Sequence, residues 1–221
     1  MGMTRAFYFI RNQGYSRDQL KEMLSGLSGG VAFPPGLSGI LNQKLSEMRQ
    51  RTGEGDAGLE LLSAVLGGNR IPGSEPVIAY KEDAGLLPFF EAGRCEGNIA
   101  SSRENGALAL CFKAPVLSFS VMDSDVLFVS YCDKEKGVAY DCARPNSPGR
   151  EDEMYDTDIY SSDFPAFLLE YCKEPDREKL RQIWESDAYI FAEEKMEDVG
   201  GMLGVEFMYE EKDIPEGYEA L

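Results

Sequence analysis

Residues 126–129, Val-Leu-Phe-Val, are apolar at every position, and that run narrows the architectures open to the chain. Successive side chains of a strand point to opposite faces, so a strand built from this run has two faces to shield from water. It belongs to a row of short segments rich in Val, Phe, Leu and Tyr, at 107–112, 116–122, 126–132 and 138–142. Turn-length gaps separate them, which predicts an antiparallel meander. On either side the apolar period changes to that of helices, and those flanking helices are expected to cover the sheet.

Before the meander, residues 6–10 predict a buried strand. Ser16 and Gln19 form a capping-box pattern, opening a helix through Leu20, Met23 and Leu24 that stops before Gly26. Leu37, Ile40, Leu41, Leu45 and Met48 repeat the helical spacing, as do Leu59, Leu62, Val65 and Leu66, so residues 16–68 read as a helical sub-lobe. After the meander, helices are expected at 164–172, 175–184 and 189–203, with Pro175 at a first helical position and Gly204 as a C-terminal cap. Residues 205–209 read as a closing strand, and the acids between Glu210 and Glu219 as a frayed tail. The expectation is one α+β domain over 1–221, an antiparallel sheet packed by helices from the N- and C-terminal segments.

With 39 acids against 22 bases, the net charge is −17. Such a field repels nucleic acid and anionic membranes and attracts basic protein surfaces. Five cysteines at odd count and wide spacing argue for reduced thiols rather than a disulfide framework, with Cys95 the one expected to be exposed. No stretch has the length of a membrane span and none resembles a secretory leader, which places the chain in the cytoplasm.

The chain has no histidine. Ser-His-Asp triads, Cys-His pairs and histidine-held zinc are therefore excluded from it, leaving carboxylate, lysine, cysteine or tyrosine chemistry, or a metal held by oxygens. Gly53-Glu54-Gly55-Asp56-Ala57-Gly58 matches the dinucleotide fingerprint in letters only. A helical segment precedes it where a strand is required, and Glu54 and Asp56 would repel a pyrophosphate. Residues 151–163 are the densest acid cluster, with Tyr155 and Tyr160 between Asp156, Asp158 and Asp163. Read as a calcium loop from Asp156, the cluster puts Ser161 at the glycine position and Phe167 at the bidentate glutamate, so it is no EF-hand. A solvated loop is one reading. The other is a docking surface in which tyrosines give contact area and carboxylates give steering.

Asp123-Ser124-Asp125, between two apolar runs, resembles the D-x-D motif of glycosyltransferases of the nucleotide-sugar fold, whose carboxylates hold Mn²⁺ or Mg²⁺. That fold needs an upstream βαβ region, which the helical residues 16–68 do not offer. The competing reading is a hairpin turn. Residues 123–129 with the turn at 134–137, and residues 191–197 with 202–205, are also similar to an uncharacterised family of bacterial proteins. That resemblance implies scaffold in both stretches and carries no activity.

The sequence assigns no catalytic residue. It leads to a cytoplasmic interaction domain without a cofactor, in the manner of an immunity-type inhibitor, that docks a basic protein through Tyr155, Asp156, Asp158, Tyr160 and Asp163. The alternative is an enzyme using Mg²⁺ or Mn²⁺ at Asp123 and Asp125 on a phosphorylated or nucleotide-sugar substrate.

Overall fold

The computed structural model describes residues 2–28, 75–145 and 163–221. The helices expected over 37–66, and Tyr155, Asp156, Asp158 and Tyr160, lie outside the described residues.

Among the described residues, seven strands form one antiparallel sheet: β1 (Arg5–Arg11), β2 (Val77–Tyr80), β3 (Leu86–Phe90), β4 (Val116–Met122), β5 (Val126–Asp133), β6 (Val138–Pro145) and β7 (Glu219–Ala220). Their order is β6-β5-β4-β1-β3-β2-β7, with every pairing antiparallel. The expected meander β4-β5-β6 is present, and β1 takes the centre of the sheet. All eight residues of β5 are buried, as its unbroken apolar run requires.

The alternation along β1 divides the core in two. Ala6, Tyr8 and Ile10 face a cluster completed by α1 (Arg17–Ser28) and α3 (Ser102–Phe112) through Leu20, Leu24, Leu108 and Phe112. Phe7 and Phe9 face the opposite cluster, with a 3₁₀ helix (Ala166–Glu170), α4 (Arg177–Glu185) and α5 (Ala192–Leu203). There Trp184 is buried against the sheet layer, the core role its helical setting suggests. A short helix, α2 (Ala92–Cys95), bridges β3 toward α3. Ser16 and Gln19 cap α1 as expected: the Gln19 N–H donates to Ser16 Oγ and the Ser16 N–H to Gln19 Oε1.

Several expectations are corrected. Residues 107–112 are the second half of α3, not a strand. Ser101 and Glu104 make a full capping box at its start, and the Ala-Leu-Ala-Leu stretch is strong helix former, burying Leu108 and Phe112 while leaving Leu110 exposed. Residues 205–209 form no strand; Phe207 instead packs its ring on Phe7, Phe9 and Phe119. The segment expected as a helix over 164–172 is a 3₁₀ turn, and α4 starts after Asp176, whose side chain accepts from the Lys179 N–H. The acidic tail is tied down. Ile78 and Leu221 exchange backbone hydrogen bonds, β7 pairs with β2, and Arg17 pairs with Glu219.

Candidate functional site

Asp123 and Ser124 take φ of 51° and 59°, and the Asp125 N–H donates to the Met122 carbonyl at 2.9 Å. Two consecutive left-handed residues define a type I′ turn, the connection that matches the twist of antiparallel strands. The turn is docked rather than free. Ser124 is buried; its N–H donates to the Met3 carbonyl, its hydroxyl accepts from the Met3 N–H and donates to Glu193 Oε1, and its carbonyl accepts from the Ala192 N–H. Asp123 is exposed and Asp125 half-buried on either side of it. Neither belongs to a group of three or more metal-ligating side chains among the described residues. Asp163 is exposed at the start of its segment, the one described member of the acidic cluster read from the sequence.

What the turn holds in place is the start of α5. Ile190 and Phe191 immediately precede that helix and are 75% and 49% exposed, large apolar side chains facing water. Their backbone is fixed from two sides. Glu194 Oε2 accepts from the N–H groups of Ile190 and Phe191 at 3.1 and 3.2 Å, while the next N–H, of Ala192, is held by Ser124. A carboxylate at the first turn also suits the helix dipole.

Carboxylates are dense on the helix that follows this apolar pair. Ala192, Met196, Val199 and Leu203 form the buried stripe of α5, as their spacing predicts, which leaves Glu194, Glu197 and Asp198 exposed and Glu193 half-buried. Asp187 adds a further acid and is paired at 3.8 Å with Arg144. Tyr189 donates its hydroxyl to Asp198, and Tyr209 donates to Glu197 at 3.2 Å. Burial and these carboxylates push both phenols up to about 12, so they remain hydrogen-bond donors at neutral pH.

The one base on α5 is withdrawn from the surface. Lys195 is fully buried, donates to the Trp184 carbonyl at 3.3 Å, and places its ammonium 5.6 Å from the Tyr189 ring centroid. Burial, aided by the Arg144 guanidinium and opposed by Asp187, lowers its pKa to about 8. Its exposed α5 neighbours are therefore acidic, and they follow two exposed apolar side chains. The spacing alone gives the stripe Ala192, Met196, Val199 and Leu203 and puts Glu193, Glu194, Glu197 and Asp198 on a solvated face, with the tyrosine-and-acid docking signature at 151–163. The same signature recurs at 187–198, where the pair Ile190-Phe191 just outside the buried stripe was the available signal.

Cys95, expected to be exposed, is buried, and burial pushes its thiol up to about 12; Arg94, its neighbour in sequence, is engaged by Glu91 at 2.5 Å. All five cysteines are free thiols. No helix among the described residues is long and apolar enough to cross a membrane. No family model, curated protein or solved structure matches the chain.

Proposed function

We propose that the protein is a cytoplasmic interaction domain that docks a basic protein partner, in the manner of an immunity-type inhibitor, through the face built by Ile190, Phe191 and the carboxylates of α5. The observation that carries this reading is the exposure of Ile190 and Phe191, their backbone capped by Glu194, at the start of an acid-rich helix. Binding surfaces draw their energy from a few apolar anchors whose conformation is fixed beforehand, and their on-rates from a surrounding field of one sign. The chain's charge of −17 extends that field beyond the face. Five reduced thiols are in keeping with a cytoplasmic setting. This reading sets residues 187–198 beside the surface proposed at Tyr155, Asp156, Asp158, Tyr160 and Asp163, with the same class of partner.

The test is a titration of the isotopically labelled protein with a lysine-rich amphipathic peptide, followed by NMR. Localised perturbation of residues 187–198, weakening as salt is raised, is the expected result. Perturbations spread evenly over all exposed acids would mean that the charge is only solvation, and the reading would fall.

A further inference from the structure

At the other end of α5 the chemistry inverts. A cleft of about 380 Å³ opens where the ends of β1 and β2 meet the C-terminal cap of α5, and Arg11, Lys81 and Lys173 converge on it. In a chain with 22 bases against 39 acids, three cations around one cleft are a concentration that the overall charge does not explain. None of the three makes an ion pair with a described residue, although Asp83 and Glu170 also line the cleft.

Each cation is positioned by something other than a carboxylate. The Arg11 guanidinium lies 5.2 Å from the centroid of Tyr171, whose hydroxyl is fixed by donation to the Tyr131 hydroxyl at 2.9 Å. The Lys81 ammonium lies 5.3 Å from the centroid of Tyr218. Lys173 crosses Gly204, where a Cβ would stand 2.2 Å from Lys173 Cε; the φ of 67° is what favours glycine there. The C-terminal end of the α5 dipole also favours a cation at this point. Leu86, Leu203 and Val205 add apolar walls. The volume lies in the range of small-molecule sites, which are mostly apolar with a few converging polar groups.

We infer that this cleft binds a small organic anion, a carboxylate or phosphate ester on a compact apolar body, with Arg11, Lys81 and Lys173 receiving the charge and the tyrosine and aliphatic walls receiving the body. Arg11 suits the anion best because its fork matches two oxygens at once. Asp83 and Glu170 leave the lining one charge positive, which favours a compact anion of one or two charges over extended polyanions. The site is independent of the docking face: the twelve residues of α5 separate the two by about 18 Å.

The experiment is an NMR titration of the full chain with benzoate, phenyl phosphate, inorganic phosphate and uncharged phenol. Expected are saturable shifts at Arg11, Gly85 and Gly204 with benzoate or phenyl phosphate, weaker shifts with inorganic phosphate, and none with phenol; whichever of the first two binds more tightly identifies the anionic group. The double variant Lys81→Gln/Lys173→Gln, at two exposed side chains, should weaken binding about tenfold or more, while Lys179→Gln outside the cleft should leave it unchanged. Absence of saturable shifts with every anion at millimolar concentration would overturn the inference. So would equal binding by the double variant, or equal shifts with phenol.

Discussion

Replacing Lys195 by Met gives the sharpest test of the packing beneath the acidic face. Met keeps the length and flexibility of the lysine stem and removes the ammonium. In the folded chain that ammonium ionises at about 8 against an ordinary 10.5, because burial and Arg144 oppose its charge more than Asp187 supports it. Below pH 8 the lysine is charged in both states, so the folded state bears the whole penalty. Between about 8 and 10.5 the unfolded chain binds more protons, and the penalty shrinks as pH rises; above 10.5 it is gone. The full gap corresponds to about 3 kcal/mol, and screening together with the lost hydrogen bond to Trp184 brings it to about 2 kcal/mol. Urea unfolding by linear extrapolation should therefore find Lys195→Met more stable than the parent at pH 7 by about 2 kcal/mol. That advantage should fade between pH 8 and 10. Buried thiols and tyrosines titrate in the same range, but they are common to both chains and cancel in the difference. A pH-independent difference, or a variant less stable at pH 7, would refute the reasoning.

Three further outcomes follow from the same packing. Ser124→Ala strips the Met3 N–H and Glu193 of a partner and should cost about 1–2 kcal/mol in chemical denaturation, with loss of the order at residues 190–192 visible by NMR. Gly200→Ala would set a Cβ 2.5 Å from the Phe207 ring and should destabilise by about 1–3 kcal/mol, whereas Gly201→Ala, with open space around it, should be neutral or stabilising in the same denaturant series. Cys95 should be the slowest of the five thiols toward a disulfide reagent at pH 8, and the half-buried Cys111 and Cys172 should react ahead of it; mass mapping of the first labelled sites checks the order.

The sheet was legible where apolar runs were bounded by turn residues. Residues 6–10, 116–122, 126–132 and 138–142 all fall in strands, because a buried strand announces itself by β-branched and aromatic residues of strand length. The error at 107–112 has a physical origin: a short apolar run has no period of its own, and the Ser101/Glu104 box six residues upstream decided the matter. Strands β2 and β3 escaped notice because Pro88 sits inside β3. It stands opposite Phe9 of β1 and beyond the stretch where β2 pairs with β3, which covers Val77 with Phe90 and Ile78 with Phe89, so no β2 partner faces it. Residues 205–209 have the composition of a closing strand, yet the chain places those aromatics on the sheet face and pairs Glu219–Ala220 instead, a choice made by tertiary packing. Of the candidate site, the helical stripe of α5 and its acidic outer face were readable from spacing. The burial of Lys195 and the capture of Ile190 and Phe191 by Glu194 and Ser124 depend on contacts between distant segments, which periodicity does not encode.

The docking account is tested most directly by the affinity of a lysine-rich amphipathic peptide for four chains at low and moderate salt: the parent, Ile190→Ser/Phe191→Ser, Glu197→Gln/Asp198→Asn, and Leu110→Ser on the opposite helical layer. The account predicts that the first double variant loses about tenfold or more in affinity with its salt dependence intact, since burying such anchors is worth about 1.5–3 kcal/mol each. The second should lose part of the salt dependence while Leu110→Ser matches the parent. Equal affinities across all four chains, or binding indifferent to salt, would contradict it.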